Sequence, residues 1–239
     1  IKDAQKYIPE FLENIIEKNL ICLNFIRYPN NQLPLFNGAS ENFIDQLDEY
    51  INKDTKKKND THMIGGLFKL KQKNHLVFFD VGEPPEKKFS KCYQSGPLSF
   101  EYFLDEVKII SNSGFGDNIS NKAKLLSRLT ACQSTLTLND TSVTKFERNK
   151  LINKVFGNSI KNSFKTYDLN ICNENNMFGC SVSHSGYEKN FGCTHKREIF
   201  FDKKNNHLKG ADHIFKKKDG IPIRYVFRFH INPGLTVVK

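Results

Sequence analysis

The sequence predicts a mainly β protein, an antiparallel multi-sheet β-sandwich preceded by a short α-helical segment. Three observations carry this expectation. From Met63 onward, short alternating or apolar runs recur, bounded by Gly, Pro, Asn or Asp turn signals. The clearest run, Thr194 to Phe201, alternates with a period of two, which puts His195, Arg197, Ile199 and Phe201 on one face. Before Met63 the apolar residues instead recur at helical spacing.

The first helix is predicted over Asp3 to Leu20. Pro9 suits its first turn, and Phe11, Leu12, Ile15, Ile16 and Leu20 form one stripe. After the turn-rich stretch Tyr28 to Gly38, Ser40 and Glu41 suit the start of a second helix, with Phe43, Ile44, Leu47, Tyr50 and Ile51 on its apolar face. Two helices cannot bury their faces alone, so residues 1–52 read as the end of a larger helical domain. The lysine-rich run Asn52 to Thr61 has no interleaved aromatic, and residues 53–62 read as a solvated linker rather than a nucleic-acid patch.

Residues 63–239 make up the β-domain, truncated at its C-terminus. Hairpins are expected at Ile64 to Lys71 with His75 to Val81, stopped by Glu83-Pro84-Pro85, and at Ser99 to Leu104 with Val107 to Ser111. Further strands are expected at Gln133 to Leu138, Phe164 to Ile171, Cys180 to Ser183, Thr194 to Phe201, Leu208 to Phe215 and Tyr225 to Asn232. In the last of these, Phe227, Phe229 and Ile231 point one way and Arg228, His230 and Asn232 the other. Arg and His offered from one face of two strands suggest a sheet surface for an anionic partner.

A net charge of +10 over 239 residues points to an acidic partner. Nucleic acid is disfavoured, because neither an RNP-like aromatic motif nor a helix-turn-helix pattern is present. The six cysteines include no CxxC pair and read mostly as buried free thiols. No run reaches transmembrane length and no signal peptide opens the chain. The start at Ile1 and the end inside a strand-like run read as a piece of a longer protein.

Several segments together resemble the C-terminal part of the heparinase II/III-like family. They are Leu35-Phe36-Asn37-Gly38-Ala39, Phe79-Asp80-Val81-Gly82-Glu83-Pro84-Pro85, Gly96-Pro97-Leu98-Ser99-Phe100-Glu101, Ser134 to Ser142, Ser183-His184-Ser185-Gly186-Tyr187 and Arg228 to Gly234. The resemblance implies the end of an incomplete α/α toroid followed by a multi-sheet β-domain. It also implies a lyase, in the cell envelope or periplasm, that cleaves uronate-containing polysaccharides by β-elimination. Heparin is the family's namesake substrate, and a bacterial surface glycan fits equally.

That reaction needs a neutralised uronate carboxylate, a base for the C5 proton and an acid for the departing O4. The family's toroid residues would precede Ile1, so this chain alone is expected to be catalytically incomplete. The family's His-x-His-x-Asp run falls at Cys92, Gln94 and Gly96, and a further metal-ligating His falls at Gln133. No metal and no other cofactor is therefore expected, and Cys92 reads as an ordinary buried thiol. His184, Tyr187 and His230 become the proton-transfer candidates, while Gln94, His195, Arg197 and Arg228 become the substrate-binding ones. Two alternatives stand beside this reading: His184 and Tyr187 serve only to build a strand-end turn, or the whole domain binds acidic glycan without cleaving it.

Overall fold

The computed structural model describes residues 9–40, 61–217 and 223–238. The predicted second helix and most of the lysine-rich linker lie outside them. Twelve strands form three sheets among the described residues. In chain order they are β1 (Met63–Ile64), β2 (Leu67–Gln72), β3 (His75–Asp80), β4 (Phe100–Leu104), β5 (Val107–Ser111), β6 (Leu136–Leu138), β7 (Thr166–Asn173), β8 (Met177–His184), β9 (Cys193–Asp202), β10 (His207–Lys216), β11 (Tyr225–Phe227) and β12 (His230–Ile231). The six-stranded sheet runs β1-β2-β3-β4-β5-β12, the four-stranded sheet β10-β9-β8-β7, and β6 pairs with β11. Every pairing is antiparallel.

Both predicted hairpins are present with two-residue turns. Gln72 pairs with His75 and Leu104 with Val107, and Lys73 and Asp105 adopt the positive φ that such turns require. The alternating strands put one face inward, and the two larger sheets bury Phe68, Leu70, Val77, Phe79, Phe178, Val182, Ile199 and Phe201 between them. At Gly179 strands β8 and β9 approach so closely that a Cβ there would lie 2.1 Å from the Ile199 carbonyl oxygen.

The N-terminal helix α1 spans Glu10–Phe25, five residues past its predicted end, with Pro9 as the N-cap. Its last turn holds no basic residue, and Lys69 of β2 supplies the missing charge, donating to the carbonyl of Phe25 at 2.5 Å. Burial lowers that ammonium to about 8. The segment after α1 packs on the large sheet, where Tyr28 stacks on Phe103 and donates to Glu101 at 2.9 Å. Glu101 is fully buried and also meets Lys108 at 3.4 Å and the backbone N–H of Asn112 at 2.8 Å.

Three short helices went unpredicted: α2 (Asn121–Leu126), α3 (Lys150–Phe156) and α4 (Glu188–Phe191). Each makes at most two turns, too few for a hydrophobic repeat to stand out, although Ser120 and Asn149 cap the first two in the expected way. The run Tyr225 to Asn232, predicted as one strand, divides between two sheets. β11 joins β6, β12 joins β5, and Arg228-Phe229 forms the crossing.

Candidate functional site

The alternation predicted for β9 is correct, but its exposure is not. His195 and Arg197 are 1% and 2% exposed, buried beside Ile199 and Phe201. The reason is Asp212, which sits opposite Arg197 on β10. Arg197 donates from Nε to Asp212 Oδ1 at 2.7 Å and from Nη2 to Oδ2 at 3.1 Å, and its Nη1 donates to the carbonyls of Leu98 and Ser134. A guanidinium so engaged has no fork to offer a ligand.

His184 and His195 continue the same network. The Gly186 N–H donates to His184 Nδ1 at 3.0 Å, so the His184 proton is on Nε2, pointing at His195 Nδ1 at 3.2 Å. His195 must then carry its own proton on Nε2, which donates to Asp212 Oδ1 at 2.6 Å. Burial pushes both imidazoles below their ordinary value, His184 well below it; the Arg197 guanidinium adds to this at both, while Asp212 opposes it at His195. Burial also pushes the Asp212 carboxyl up, but the hydrogen bonds from His195 and Arg197 outweigh it and hold the group at about 2. The result is two neutral imidazoles ending on an ion pair, with every ring nitrogen assigned.

Tyr187 is 1% exposed, and its hydroxyl donates to the Leu136 carbonyl at 2.7 Å, with burial raising its pKa. Gln94, 2% exposed, accepts from the Gly38 N–H at 3.0 Å and donates to the carbonyls of Gly114 and Ser127 at 2.9 and 3.1 Å. Both amide hydrogens are used, so the expectation that Gln94 binds substrate is corrected. Its amide joins the helical segment to the β-domain instead.

Of the seven predicted site residues, Arg228 and His230 alone are not buried. The polarity of their run is the reverse of the prediction. Phe227, Phe229 and Ile231 are 39–49% exposed, whereas Arg228 and His230 turn toward the protein without being sealed by it. Arg228 hydrogen-bonds Thr137 Oγ1 and reaches Asp140 at 3.3 Å, a carboxylate that Arg224 also approaches at 3.2 Å. Two guanidiniums on one carboxylate leave net positive charge there. His230 Nε2 lies 3.1 Å from the Ala131 carbonyl, to which it can only donate, so Nδ1 carries the lone pair. His184 and His195 meet each other, but neither joins Arg228 or His230 in any hydrogen bond.

The residues at the family's metal-ligand positions do not fit a metal. Gln94 is saturated, Gln133 donates to the Ser127 carbonyl at 2.8 Å, and a Cβ on Gly96 would lie 2.8 Å from Ser99 Oγ. No cluster of three or more His, Cys, Asp or Glu suited to a metal occurs among the described residues. Cys92, expected to be buried, is exposed, while Cys180 and Cys193 are buried, and all six cysteines are free thiols. Sequence reasoning also missed Arg128, which is buried and donates to the carbonyls of Ser90, Tyr93 and Asn158, fixing the backbone on either side of Cys92.

The model of the C-terminal domain of heparinase II/III-like proteins matches residues 61–239. The chain belongs to the heparinase II/III-like family. Among solved structures, its fold is similar to that of heparan sulfate lyase HepC from Pedobacter heparinus, with a TM-score of 0.54 and 19% identity over 82% of this chain and 32% of the other. A heparinase III gene product aligns with a TM-score of 0.61 and 16% identity, covering 90% of this chain and 34% of its own. A crystal structure of heparinase III gives 0.55 and 13%, with 82% and 34% covered. No curated protein matches. This heparinase II/III-like chain therefore spans about a third of the length of these structures and shares their β-domain fold.

Proposed function

We propose that this domain belongs to a polysaccharide lyase that cleaves an acidic, uronate-containing glycan of the cell envelope by β-elimination. The observation that supports it best is the Arg228-Phe229-His230 run, in which a guanidinium and, two residues on, an imidazole whose Nδ1 has no hydrogen-bond partner among the described residues are both only partly buried. Arg228 holds the uronate carboxylate and lowers the cost of the carbanion that forms at C5. His230 Nδ1 accepts a proton or, once protonated, returns one to O4. The remaining acid–base partner comes from the helical region that the family resemblance implies upstream. His184, Tyr187, His195, Arg197 and Gln94 act behind this pair, holding the β-domain that presents it.

A non-catalytic glycan-binding role is the second reading, favoured by the amide hydrogen bonds that occupy Gln94 where the family places a ligand imidazole. Ultraviolet absorbance of unsaturated uronate separates the two. Full-length protein should generate that signal from at least one member of a panel of uronate polysaccharides, with or without chelator. Salt-sensitive binding to the panel without any absorbance would favour the binding role.

A further inference from the structure

The four-stranded sheet has a second face, opposite the one that buries His195 and Arg197. On it the register lines up one row across all four strands: Tyr167 lies opposite Ser183, Ser183 opposite Lys196, and Lys196 opposite His213. Next to this row a hollow of about 440 Å³ is lined by Tyr167, Asp168, Ser183, Thr194, Lys196 and Phe215. That volume falls within the range of about 300–1,000 Å³ usual for small-molecule sites.

The contents of the hollow are those of a sugar site. Phe215, 55% exposed, stacks at 14° on His213 and presents an aromatic ring at one wall. Asp168 follows a break in the β7–β8 register, between Tyr167 and Asn170, and has a φ of +55°. Such bulges re-aim side chains, and here an acceptor carboxylate lines the hollow. Neither Asp168 nor the Ser183 hydroxyl has a side-chain hydrogen bond or ion pair among the described residues. Lys196 brings a cation, and its ion pair with Glu198 at 2.6 Å leaves two ammonium hydrogens to give. Asp168, Ser183 and Lys196 stand on three adjacent strands, two spacings or about 10 Å across, a span that one sugar covers with a hydrogen bond at either end.

We infer that this hollow is a subsite for one acidic pyranose unit, stacked on Phe215, with its hydroxyls on Asp168 and Ser183 and its carboxylate on Lys196. The choice of an acidic sugar rests on the function proposed above, whereas the hollow does not. Neither Arg228 nor His230 lines it, and it would hold a distal unit of a longer chain.

Saturation-transfer difference NMR of full-length protein with methyl glucuronoside and methyl glucoside tests this. The glucuronoside should give the larger signal. Phe215→Ala should reduce it by about fivefold or more, since ring stacking is lost. Lys196→Ala should remove the preference over the glucoside, a change of roughly tenfold in affinity for a charge-assisted contact. Both side chains are partly exposed, and unchanged melting temperatures would show that the variants fold. Absence of signal, equal signals for the two sugars, or a signal lost in Arg228→Ala but kept in Phe215→Ala would overturn the assignment. The last outcome would leave the proposed lyase site standing, and failure of lyase activity would leave a Phe215-dependent signal untouched.

Discussion

At the scale of single residues, the β9 strand separates what a sequence pattern gives from what it hides. The period of two correctly put His195, Arg197, Ile199 and Phe201 on one face, but charge was a poor guide to which side that face takes. The deciding residue is Asp212, fifteen positions away. Its place was legible in principle, because equal steps outward from the loop between Asp202 and His207 set it opposite Arg197. An ion pair of this kind is far more sensitive to losing one member than to losing both. Arg197→Ala or Asp212→Ala should each cost about 3–5 kcal/mol, and the double replacement by apolar residues much less. Urea denaturation of the two singles and the double would measure it, and additive losses would show that the two groups do not depend on each other.

At the scale of elements, the strands were legible from the turn signals that bound them, while the short helices were not, because four to seven residues make at most two turns, too few for a repeat to stand out. The last run failed for another reason. Alternation persists through Tyr225 to Asn232, yet β6 and β5 each take one end of it, and no local pattern records which partner a strand will find. Strand spacing makes a sharper prediction at Gly179, where the Cβ of an alanine would fall 2.1 Å from the Ile199 carbonyl oxygen and 2.7 Å from Phe200 Cα. Gly179→Ala should cost about 3 kcal/mol or more, because β8 and β9 cannot separate without losing their pairing. At Gly210 the nearest atom to an added Cβ is 3.5 Å away, and Gly210→Ala should be tolerated in the same denaturant titration.

At the scale of the whole molecule, buried titratable groups set how stability follows pH. Burial raises the Asp80 carboxyl to about 7. The folded state thus keeps a proton that the unfolded state releases near 4, and this group's share of stability falls as pH rises from about 4 to 7. His184 and His195 act in the opposite sense. Both are held neutral below their ordinary value, so the unfolded state takes up protons first and stability drops as pH falls through about 6.5. Asp80→Asn should therefore leave stability near pH 4 almost unchanged and raise it at pH 8. Denaturation midpoints at the two pH values would show it, and an equal shift at both would mean that the Asp80 carboxyl is not held protonated.

The family, too, is a whole-chain property. No single segment decided it, but six motifs in order from Leu35 to Gly234 did, because spacing over that length reflects one fold. Individual site roles were less legible, since burial depends on contacts that lie far apart in sequence. The central claim, proton transfer by His230 with Arg228 holding the carboxylate, is tested most directly by steady-state kinetics of full-length protein on a uronate polysaccharide that it cleaves. His230→Ala should lower kcat by roughly 10²–10⁴-fold with KM little changed, while Arg228→Ala should lower kcat/KM. A His230→Ala enzyme within twofold of wild type would contradict the account.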